Sequence, residues 1–439
     1  MTIGIIGAGI SGLTLAYELQ KRGQPYRLWE ATNTPGGYIQ SVRDGRYLRE
    51  LGPNSLLGDD ALLAWLGELG LTNDLVFSKP VSKARYIFRN GRYRKLPTGP
   101  PSLLLGDFFS WKTKLAIARE LSNKTRSPDL PGQPGETLAQ FFRRRFSDEI
   151  VEYALGPFVA GIYAGDPERL LVSETFPSLL QYEKEFGSVL KGLIKNQRTT
   201  GRRQSFSFRN GMQTLPIALA QKLTNITFKD PVQSVDPTQH GWLVVSKSGS
   251  TTVDRLVFCV DTEVTTHLLE GCYPDLAAAL RRIEYPPMTA VHSVYKRADV
   301  THPLDGFGGL NPRVENRFSA GHIWSSSTFD FRCPVDEVLF TTFVGGRQSV
   351  ANAQLDDGVI FDQVHQELST SFGIASEPVR HELYRWDRAI PQYDEALLAA
   401  RQLIPALEKD NLLVCANWYE GVSLSDCIKK AKALAARLL

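Results

Sequence analysis

The chain has 439 residues, of which 42% are hydrophobic and 22% are charged, as in an ordinary globular protein. The formal net charge of +3 is too small to indicate nucleic acid as a partner, although it mildly favours acidic ligands or an anionic membrane surface. The five cysteines are scattered and odd in number, and the seven histidines show no metal-ligand spacing. We therefore expect a reducing compartment, no disulfide framework and no bound metal.

The first predicted elements are a strand over 3–6, a glycine turn over 7–12 and a helix over 13–21. A second strand, at 26–29, ends at Glu30. This order is typical of the dinucleotide-binding βαβ unit, whose glycines permit a tight turn, the approach of a pyrophosphate and close helix packing. The helix N-terminus offers amide groups to phosphates, and Glu30 can accept hydrogen bonds from ribose hydroxyls. A purely structural turn is the alternative. We predict dinucleotide contacts at Gly7, Ala8, Gly9, Ile10, Ser11 and Gly12.

Residues after 84 differ in character from this N-terminal segment. A strand at 85–88 and a hairpin turn at 89–92 precede a mostly helical region. Residues 100–114 mix leucines and aromatic residues with lysines, which is typical of a helix on a membrane surface, although a buried helix and loop would show the same pattern. The basic, aperiodic stretch 191–203 predicts a mobile loop.

Short strands return after residue 204. They are predicted at 226–228, 232–235, 242–245, 256–260, 289–296, 337–344 and 411–416. A helix at 424–438 follows the last of them. The pattern predicts a mixed α/β fold in which a Rossmann-like nucleotide domain is assembled from three separated chain segments.

The predicted boundaries divide the chain into five segments. The three nucleotide-binding segments are 1–84, 205–262 and 385–439. Residues 85–204 are predicted to form a helical region on the substrate or membrane side, and 263–384 are predicted to form a mixed-sheet substrate domain.

Four further motifs accompany the glycine turn, and the ordered set resembles the flavin-containing amine oxidase superfamily. They are Gly36-Gly37 after Glu30, Glu50-Leu51-Gly52-Pro53, Ala389-Ile390-Pro391-Gln392-Tyr393 and Tyr419-Glu420-Gly421-Val422-Ser423. Within the superfamily the chain is most similar to the protoporphyrinogen oxidases, and the segments 161–165 and 208–216 share this similarity. The resemblance covers nearly the whole chain and implies FAD as the cofactor.

The resemblance also implies which residues hold FAD. The glycine turn would bind the pyrophosphate, Glu30 the ribose, and backbone groups of Val232 the adenine. Tyr38 stands where the wider superfamily often has an arginine, and an aromatic residue there is seen in the porphyrinogen oxidases. The remaining implied cofactor contacts are Ala31, Gly37, Gly52, Pro53, Asn54, Ser55, Trp386, Gly421, Val422 and Ser423. Taken alone, the last three would be interpreted as an ordinary capped helix, and the accompanying motifs reverse that preference. Trp386 and Tyr393 are expected to flank the flavin, although core packing would explain them nearly as well.

Four residues are implied on the substrate side. Arg85 would bind a propionate, because a guanidinium can donate to both oxygens of a carboxylate, although alone it would be interpreted as a surface arginine. Phe307 and Leu310 would hold an apolar macrocycle, and Gly161 would present its backbone carbonyl to pyrrole N–H groups. No side chain is predicted with certainty as a catalytic base.

The activity implied by the resemblance is oxidation of protoporphyrinogen IX to protoporphyrin IX in haem biosynthesis, with hydride transfer to flavin N5 and dioxygen as the acceptor. The first alternative is coproporphyrinogen III, whose four carboxylates should demand a more basic pocket than a single arginine. An amine oxidase or carotenoid desaturase on the same fold, and a non-catalytic flavoprotein, are further alternatives. The expected partners are the porphyrinogen, dioxygen and a ferrochelatase that receives the product, with no nucleic acid.

A cytoplasmic location is expected, because no signal or transit peptide precedes the first predicted strand. No apolar run is long enough to span a bilayer. Since the product is poorly soluble, a peripheral position on the inner face of a membrane is a further expectation, with 103–111 as the contact.

Overall fold

The computed structural model describes residues 1–97, 99–123, 135–199 and 203–438. Its first segment contains the predicted strand, glycine turn and helix, followed by short strands. The elements are β1 (Ile3–Ile6), α1 (Ile10–Lys21), β2 (Tyr26–Trp29), β3 (Ser41–Asp44), β4 (Tyr47–Glu50), β5 (Leu56–Gly58), α2 (Asp60–Glu68) and β6 (Leu75–Phe77), with 3-10 turns at Thr72–Asp74 and Pro80–Lys83.

A hairpin and a run of helices follow. They are β7 (Tyr86–Arg89), β8 (Arg92–Lys95), α3 (Pro100–Leu105), α4 (Trp111–Ser122), α5 (Leu138–Arg145), α6 (Asp148–Ile150), a π-helical turn at Val151–Leu155, α7 (Gly156–Tyr163), α8 (Val172–Thr175), α9 (Pro177–Phe186) and α10 (Val189–Thr199).

The prediction of a loop at 191–203 is wrong as far as Thr199, because α10 occupies that stretch. The buried carboxylate of Glu120, on α4, caps this helix. It accepts hydrogen bonds from the Val189 amide at 2.7 Å and the Ser188 hydroxyl at 2.8 Å. A carboxylate supplied from so far along the chain leaves no local sequence pattern, whereas Ser188 is a local cap whose hydroxyl accepts a hydrogen bond from the Lys191 amide at 3.2 Å. Residues 200–202 lie outside the described part of the chain.

The remaining elements alternate between strands and helices. They are β9 (Gln204–Phe208), α11 (Thr214–Lys222), β10 (Ile226–Thr227), β11 (Val232–Thr238), β12 (Gly241–Ser246), β13 (Gly249–Val253), β14 (Arg255–Phe258), α12 (Thr262–Leu269), α13 (Pro274–Arg281), β15 (Met288–Lys296), β16 (Gly308–Leu310), β17 (Gly321–Trp324), α14 (Ser325–Thr328), β18 (Glu337–Gly345), α15 (Val350–Ala353), α16 (Asp357–Phe372), β19 (Arg380–Trp386), α17 (Glu395–Lys409), β20 (Leu412–Val414) and α18 (Leu424–Arg437), with 3-10 turns at Arg297–Asp299 and Arg313–Glu315.

Five of the described strands form an all-parallel sheet in the order β10-β2-β1-β14-β20. These strands come from three separated parts of the chain, which confirms the predicted three-segment assembly. Both faces are covered, as is typical of parallel sheets. Ile5 on β1 packs in the core shared with α1 and α18, whereas the neighbouring Ile6 packs in the core shared with α17.

Seven strands of the described chain form a second, mixed sheet in the order β19-β15-β18-β17-β16-β7-β8. Only the β7–β16 pair is parallel within these residues. Side chains of alternate residues pack against α16, for example Val291 and Phe340. The other face is free of that helix and carries the candidate site. The predicted boundaries at 204/205 and 384/385 fall inside β9 and β19.

Three smaller antiparallel sheets complete the described fold: β3-β4, β5-β9-β6 and β11-β12-β13. The helices α3 to α10 form the insertion beside the mixed sheet. No helix in the described ranges combines the length and the apolar character needed to cross a membrane.

Candidate active site

The glycine turn between β1 and α1 has the shape that a pyrophosphate requires. Gly7 has φ +100°, and a Cβ added there would lie 2.6 Å from Val260 Cγ1. A Cβ added to Gly12 would lie 2.0 Å from the Gly7 carbonyl oxygen. Above Gly9, in contrast, no atom of the described chain lies within 4 Å of an added Cβ. The first-turn amides of Ile10 and Ser11 have no acceptor among the described residues, so they fit a phosphate ligand.

The Glu30 carboxylate is fixed where β2 ends. One oxygen accepts a hydrogen bond from the Ala8 amide at 2.7 Å, and the other accepts from the amide and hydroxyl of Thr32, each at 2.8 Å. Ala31 between them is exposed. The Asp230 amide donates to the Glu30 carbonyl oxygen at 2.9 Å, which places the start of β11, Val232, close by. A carboxylate retains further lone pairs after three bonds, so Glu30 fits a ribose hydroxyl.

A second group of predicted cofactor residues meets at Tyr38. A Cβ on Gly37 would lie 3.6 Å from the Gly9 Cα, and one on Gly52 would lie 2.0 Å from the Tyr38 carbonyl oxygen. The rings of Tyr38 and Trp386 are 5.1 Å apart, and Trp386 Nε1 donates to the Leu51 carbonyl oxygen at 2.8 Å. Burial raises the pKa of Tyr38 to about 12, so its hydroxyl stays protonated at neutral pH.

The loop after Gly52 lies beside the start of α18. Pro53, Asn54 and Ser55 are partly buried, and the Asn54 side-chain amide donates to the Gly52 carbonyl oxygen at 3.2 Å. The Ser425 hydroxyl donates to the Leu57 carbonyl oxygen at 2.6 Å. The strand that follows residues 52–55 therefore contacts the first turn of α18, the helix that follows residues 421–423.

Ser423 caps the N-terminus of α18, and Gly421 allows the tight turn that leads into the helix. The Ser423 hydroxyl accepts a hydrogen bond from the Asp426 amide at 3.1 Å. Gly421 has φ +109°, and a Cβ there would lie 2.8 Å from Asp426 Cβ, so a larger residue would clash. Val422 between them is partly buried.

A buried ion pair supports the loop that leads into Gly52. Glu50 accepts hydrogen bonds from Arg332 Nη1 at 2.8 Å, from the Met212 amide at 3.0 Å and from the Ser41 hydroxyl. Burial raises the pKa of Glu50, although Arg332 opposes the shift. His292 Nε2 contacts the Glu50 carbonyl oxygen at 3.0 Å, which joins the loop to the mixed sheet. The role of Arg332 was not predicted, because 282 residues separate it from Glu50.

On the substrate side, Arg85 and Phe307 stand at the same end of two parallel strands. Arg85 directly precedes β7 and Phe307 directly precedes β16. The guanidinium carbon lies 3.7 Å from the centroid of the Phe307 ring. Arg85 as a whole residue is exposed, but the protein atoms around its guanidinium, among them the Phe307 ring, partly desolvate that group and lower its pKa. In the described part of the chain no carboxylate lies within 4.0 Å of Arg85, so its N–H groups can donate to an anionic ligand.

Leu310 begins a row of residues that crosses the free face of the mixed sheet. The strand registers place in one row the residues Leu310, Gly321, Phe343, Ala290 and Tyr384. The Tyr384 ring lies 5.0 Å from the Trp386 ring, so the row ends at the residues that meet Tyr38. Phe343, and Ile323 on the same face, are partly exposed. These two were missed, because alternation within a strand does not reveal its partners.

Gly161 lies over the beginning of this row. A Cβ at Gly161, on α7, would lie 3.3 Å from Leu310 Cδ2. The structure therefore brings Gly161 and Leu310 together, as it does Arg85 and Phe307. Behind Gly161, Gln392 Nε2 donates to the Tyr163 carbonyl oxygen at 2.9 Å. Tyr393 is fully buried and packs 5.5 Å from the Tyr163 ring, so core packing explains it.

The stretch predicted as a membrane contact divides between the core and the surface. Phe108 and Phe109 are buried and cover Ile87, so for these two residues the buried alternative is correct. Leu105 and Trp111, in contrast, are 89% and 78% exposed.

Comparison with known proteins agrees with this geometry. The model of the family described as flavin containing amine oxidoreductase matches residues 10–439. The chain belongs to this family. It is 32% identical to protoporphyrinogen oxidase 2, chloroplastic/mitochondrial, of Arabidopsis thaliana, over 93% of this chain and 87% of that protein. It is 28% identical to human protoporphyrinogen oxidase, over 100% of this chain and 98% of that protein.

Solved structures share the fold. One from Exiguobacterium sp. 255-15 matches with a TM-score of 0.82 at 22% identity and covers 100% of this chain and 98% of its own. Putrescine oxidase bound to putrescine matches with a TM-score of 0.71 at 17% identity. Family membership and the relatives together make this chain an FAD-dependent oxidoreductase.

Proposed function

We propose that the protein oxidises protoporphyrinogen IX to protoporphyrin IX, with dioxygen as the final acceptor. The observation that carries the proposal is the arrangement of the free face of the mixed sheet. An arginine without a carboxylate partner in the described residues directly precedes β7, which pairs with the strand on which the apolar row begins, and the row ends beside Tyr38 and Trp386. An apolar macrocycle with acidic tails matches this order of charged, apolar and cofactor-binding groups. The names of the relatives support the same substrate and an oxidase reaction.

Each part of the site has a distinct task in this proposal. Bound FAD supplies the two-electron oxidising chemistry. Arg85 binds a propionate bidentately, and the Phe307 ring holds the guanidinium in place. The row from Leu310 to Phe343 supports one face of the macrocycle, and α7 covers it at Gly161, where the absence of a side chain leaves room. Orientation and exclusion of water are the protein's contribution.

The charges around Arg85 favour a substrate with two carboxylates over one with four. Three other basic residues of the β7–β8 hairpin are already paired: Arg89 with Glu149, Arg94 with Asp107 and Lys95 with Asp305. Paired charges offer less attraction to further carboxylates. Coproporphyrinogen III therefore remains the second candidate.

A direct test is to supply each porphyrinogen separately and to follow the fluorescence of the porphyrin formed. We expect turnover of protoporphyrinogen IX with a higher kcat/KM than coproporphyrinogen III. Arg85→Met should raise KM for protoporphyrinogen IX at least tenfold, since a charge-assisted bidentate contact contributes more than 1.4 kcal/mol. Arg92→Met, on the exposed turn of the same hairpin, is the matched control and should leave KM unchanged. Turnover of only the four-carboxylate substrate would contradict the proposal.

We also propose peripheral attachment to a membrane through α3, α4 and α7. Large apolar side chains are exposed on all three helices: Leu105, Trp111, Leu115, Phe158 and Ile162. Ile162 is adjacent to Gly161, so the patch borders the cleft. Exposed large apolar side chains on neighbouring segments are typical of an interfacial element, and such an element would let an insoluble product leave into lipid.

A further inference from the structure

Lys430, on the second turn of α18, binds the loop that precedes that helix. Its ammonium donates to the carbonyl oxygen of Ala416 at 2.7 Å, to that of Gly421 at 3.1 Å and to that of Tyr419. An ammonium has three N–H groups, so all three are used. No carboxylate of the described chain lies within 4.0 Å of Lys430, so its positive charge is held by carbonyl dipoles alone.

The loop that Lys430 holds has an unusual backbone. Glu420 has φ +58° and Gly421 has φ +109°, so two consecutive residues adopt left-handed conformations. Such a conformation is costly for a non-glycine residue and persists only where the surroundings enforce it. The three hydrogen bonds of Lys430 stabilise this backbone conformation, because they fix carbonyl groups on both sides of Glu420.

The direction of these carbonyls determines where the next amides point. In a planar trans peptide the C=O and the following N–H are directed oppositely. Since the Gly421 carbonyl faces Lys430, the Val422 amide faces away from it. That amide has no acceptor in the part of the chain that the structure describes, and Val422 is one of the residues assigned to the flavin end of the cofactor.

We propose that Lys430 is a positioning residue for FAD: its clamp on the loop turns the Val422 amide toward the cofactor, and its charge stabilises the negative charge that FAD gains on reduction. The inference rests on the proposed placement of the flavin against residues 421–423. Fixed donors and charges aimed at a site of developing charge act without reorganisation, and they favour the reduced form. Lys430 contacts neither substrate nor cofactor in this proposal.

The test uses the full-length holoprotein and two neighbouring lysines. Lys430→Met removes the charge and all three donors, whereas Lys429→Met changes an exposed residue of the same helix, whose ion pair among the described residues is with Asp59 at 3.4 Å. We expect Lys430→Met to lose FAD more readily on ultrafiltration. We also expect it to favour reduced FAD about tenfold less, which is about 30 mV in a two-electron midpoint potential measured against a reference dye. Lys429→Met should match the unmodified protein in both measurements.

Two additional variants keep the inference falsifiable. Lys430→Arg retains the charge, so its midpoint potential should lie between those of the unmodified protein and Lys430→Met. If Lys430→Met does not fold, Lys430→Gln should shift the potential in the same direction, because glutamine keeps donors but not the charge. An unchanged potential in the neutral variant, or an equal shift in Lys429→Met, would overturn the inference. Dye reduction needs no porphyrinogen, so a failure of the proposed substrate would be seen separately.

Discussion

Replacing Glu50 by glutamine should destabilise the protein more than any surface charge change. The side chains of Glu50 and Arg332 are 2% and 3% exposed, and their oxygen and nitrogen are 2.8 Å apart. Glutamine keeps an oxygen that can accept a hydrogen bond from Arg332 but removes the negative charge, so the buried guanidinium would lose its counter-charge. Among the described residues, its other side-chain hydrogen bond is to the Ser207 hydroxyl. Removing one member of a buried ion pair costs about 3–5 kcal/mol, because the other charge stays desolvated. We expect Glu50→Gln to lower the free energy of unfolding by this amount.

The assay is urea unfolding of the holoprotein in excess FAD, followed by far-ultraviolet circular dichroism. Glu50→Gln, Arg332→Met and the double variant form a cycle, in which the double variant should lose at least about 2 kcal/mol less than the sum of the two single losses. Lys21→Met is the control. It breaks a pair with Glu68 whose side chains are 41% and 50% exposed, and it should cost at most about 1 kcal/mol. Additive losses, or a Glu50→Gln loss no larger than the control, would refute the reasoning.

Three further predictions concern the cofactor loop, acidification and the membrane patch. Gly52→Ala should release FAD at least tenfold more readily, measured by the ratio of flavin to protein absorbance, because the added Cβ would lie 2.0 Å from the Tyr38 carbonyl oxygen; full retention would contradict this. Burial lowers the pKa of His292 to about 4, although the Glu50 carbonyl oxygen and Glu382 oppose the shift. Between pH 6.5 and 4 the unfolded state binds the His292 proton more strongly, so this residue alone should lower stability on acidification by up to about 1.4 kcal/mol per pH unit. His322 and His381, whose pKa values burial also lowers to about 4, should add to the slope, and His292→Gln should reduce it by the share of one histidine in urea titrations. The triple variant Leu105→Ser, Trp111→Ser, Leu115→Ser should reduce co-sedimentation with anionic liposomes. The control Val335→Ser, at an exposed valine outside these three helices, should not.

The cofactor half of the molecule was predictable because its signals are local. The turn over 7–12 carries its own conformational requirement in Gly7 and Gly12, and Glu30 follows at the end of the next strand. The three-segment assembly also followed from strand patterns, since buried parallel strands such as β1 and β14 are short, continuous apolar runs.

The substrate half depends on pairings that the sequence does not display. Ile323 and Phe343 share a face with Leu310 only because of the register between β16, β17 and β18. The pair of Phe108 and Phe109 has the same amphipathic surroundings as Trp111, and only the packing against Ile87 shows that the phenylalanines are buried. The pairing of Glu50 with Arg332 could not be predicted either, because a local sequence pattern does not show which distant residues meet in the fold.

The central claim is that a porphyrinogen bound by Arg85 lies across the apolar row next to the FAD. The most direct measurement is anaerobic mixing of the holoprotein with protoporphyrinogen IX in a stopped-flow spectrophotometer, with the visible flavin absorbance and the porphyrin fluorescence recorded together. We predict that the flavin band bleaches as the porphyrin signal rises, and that Arg85→Met needs a higher substrate concentration for the same rate. A flavin that stays oxidised with protoporphyrinogen IX at every concentration would show that this substrate does not react at the site.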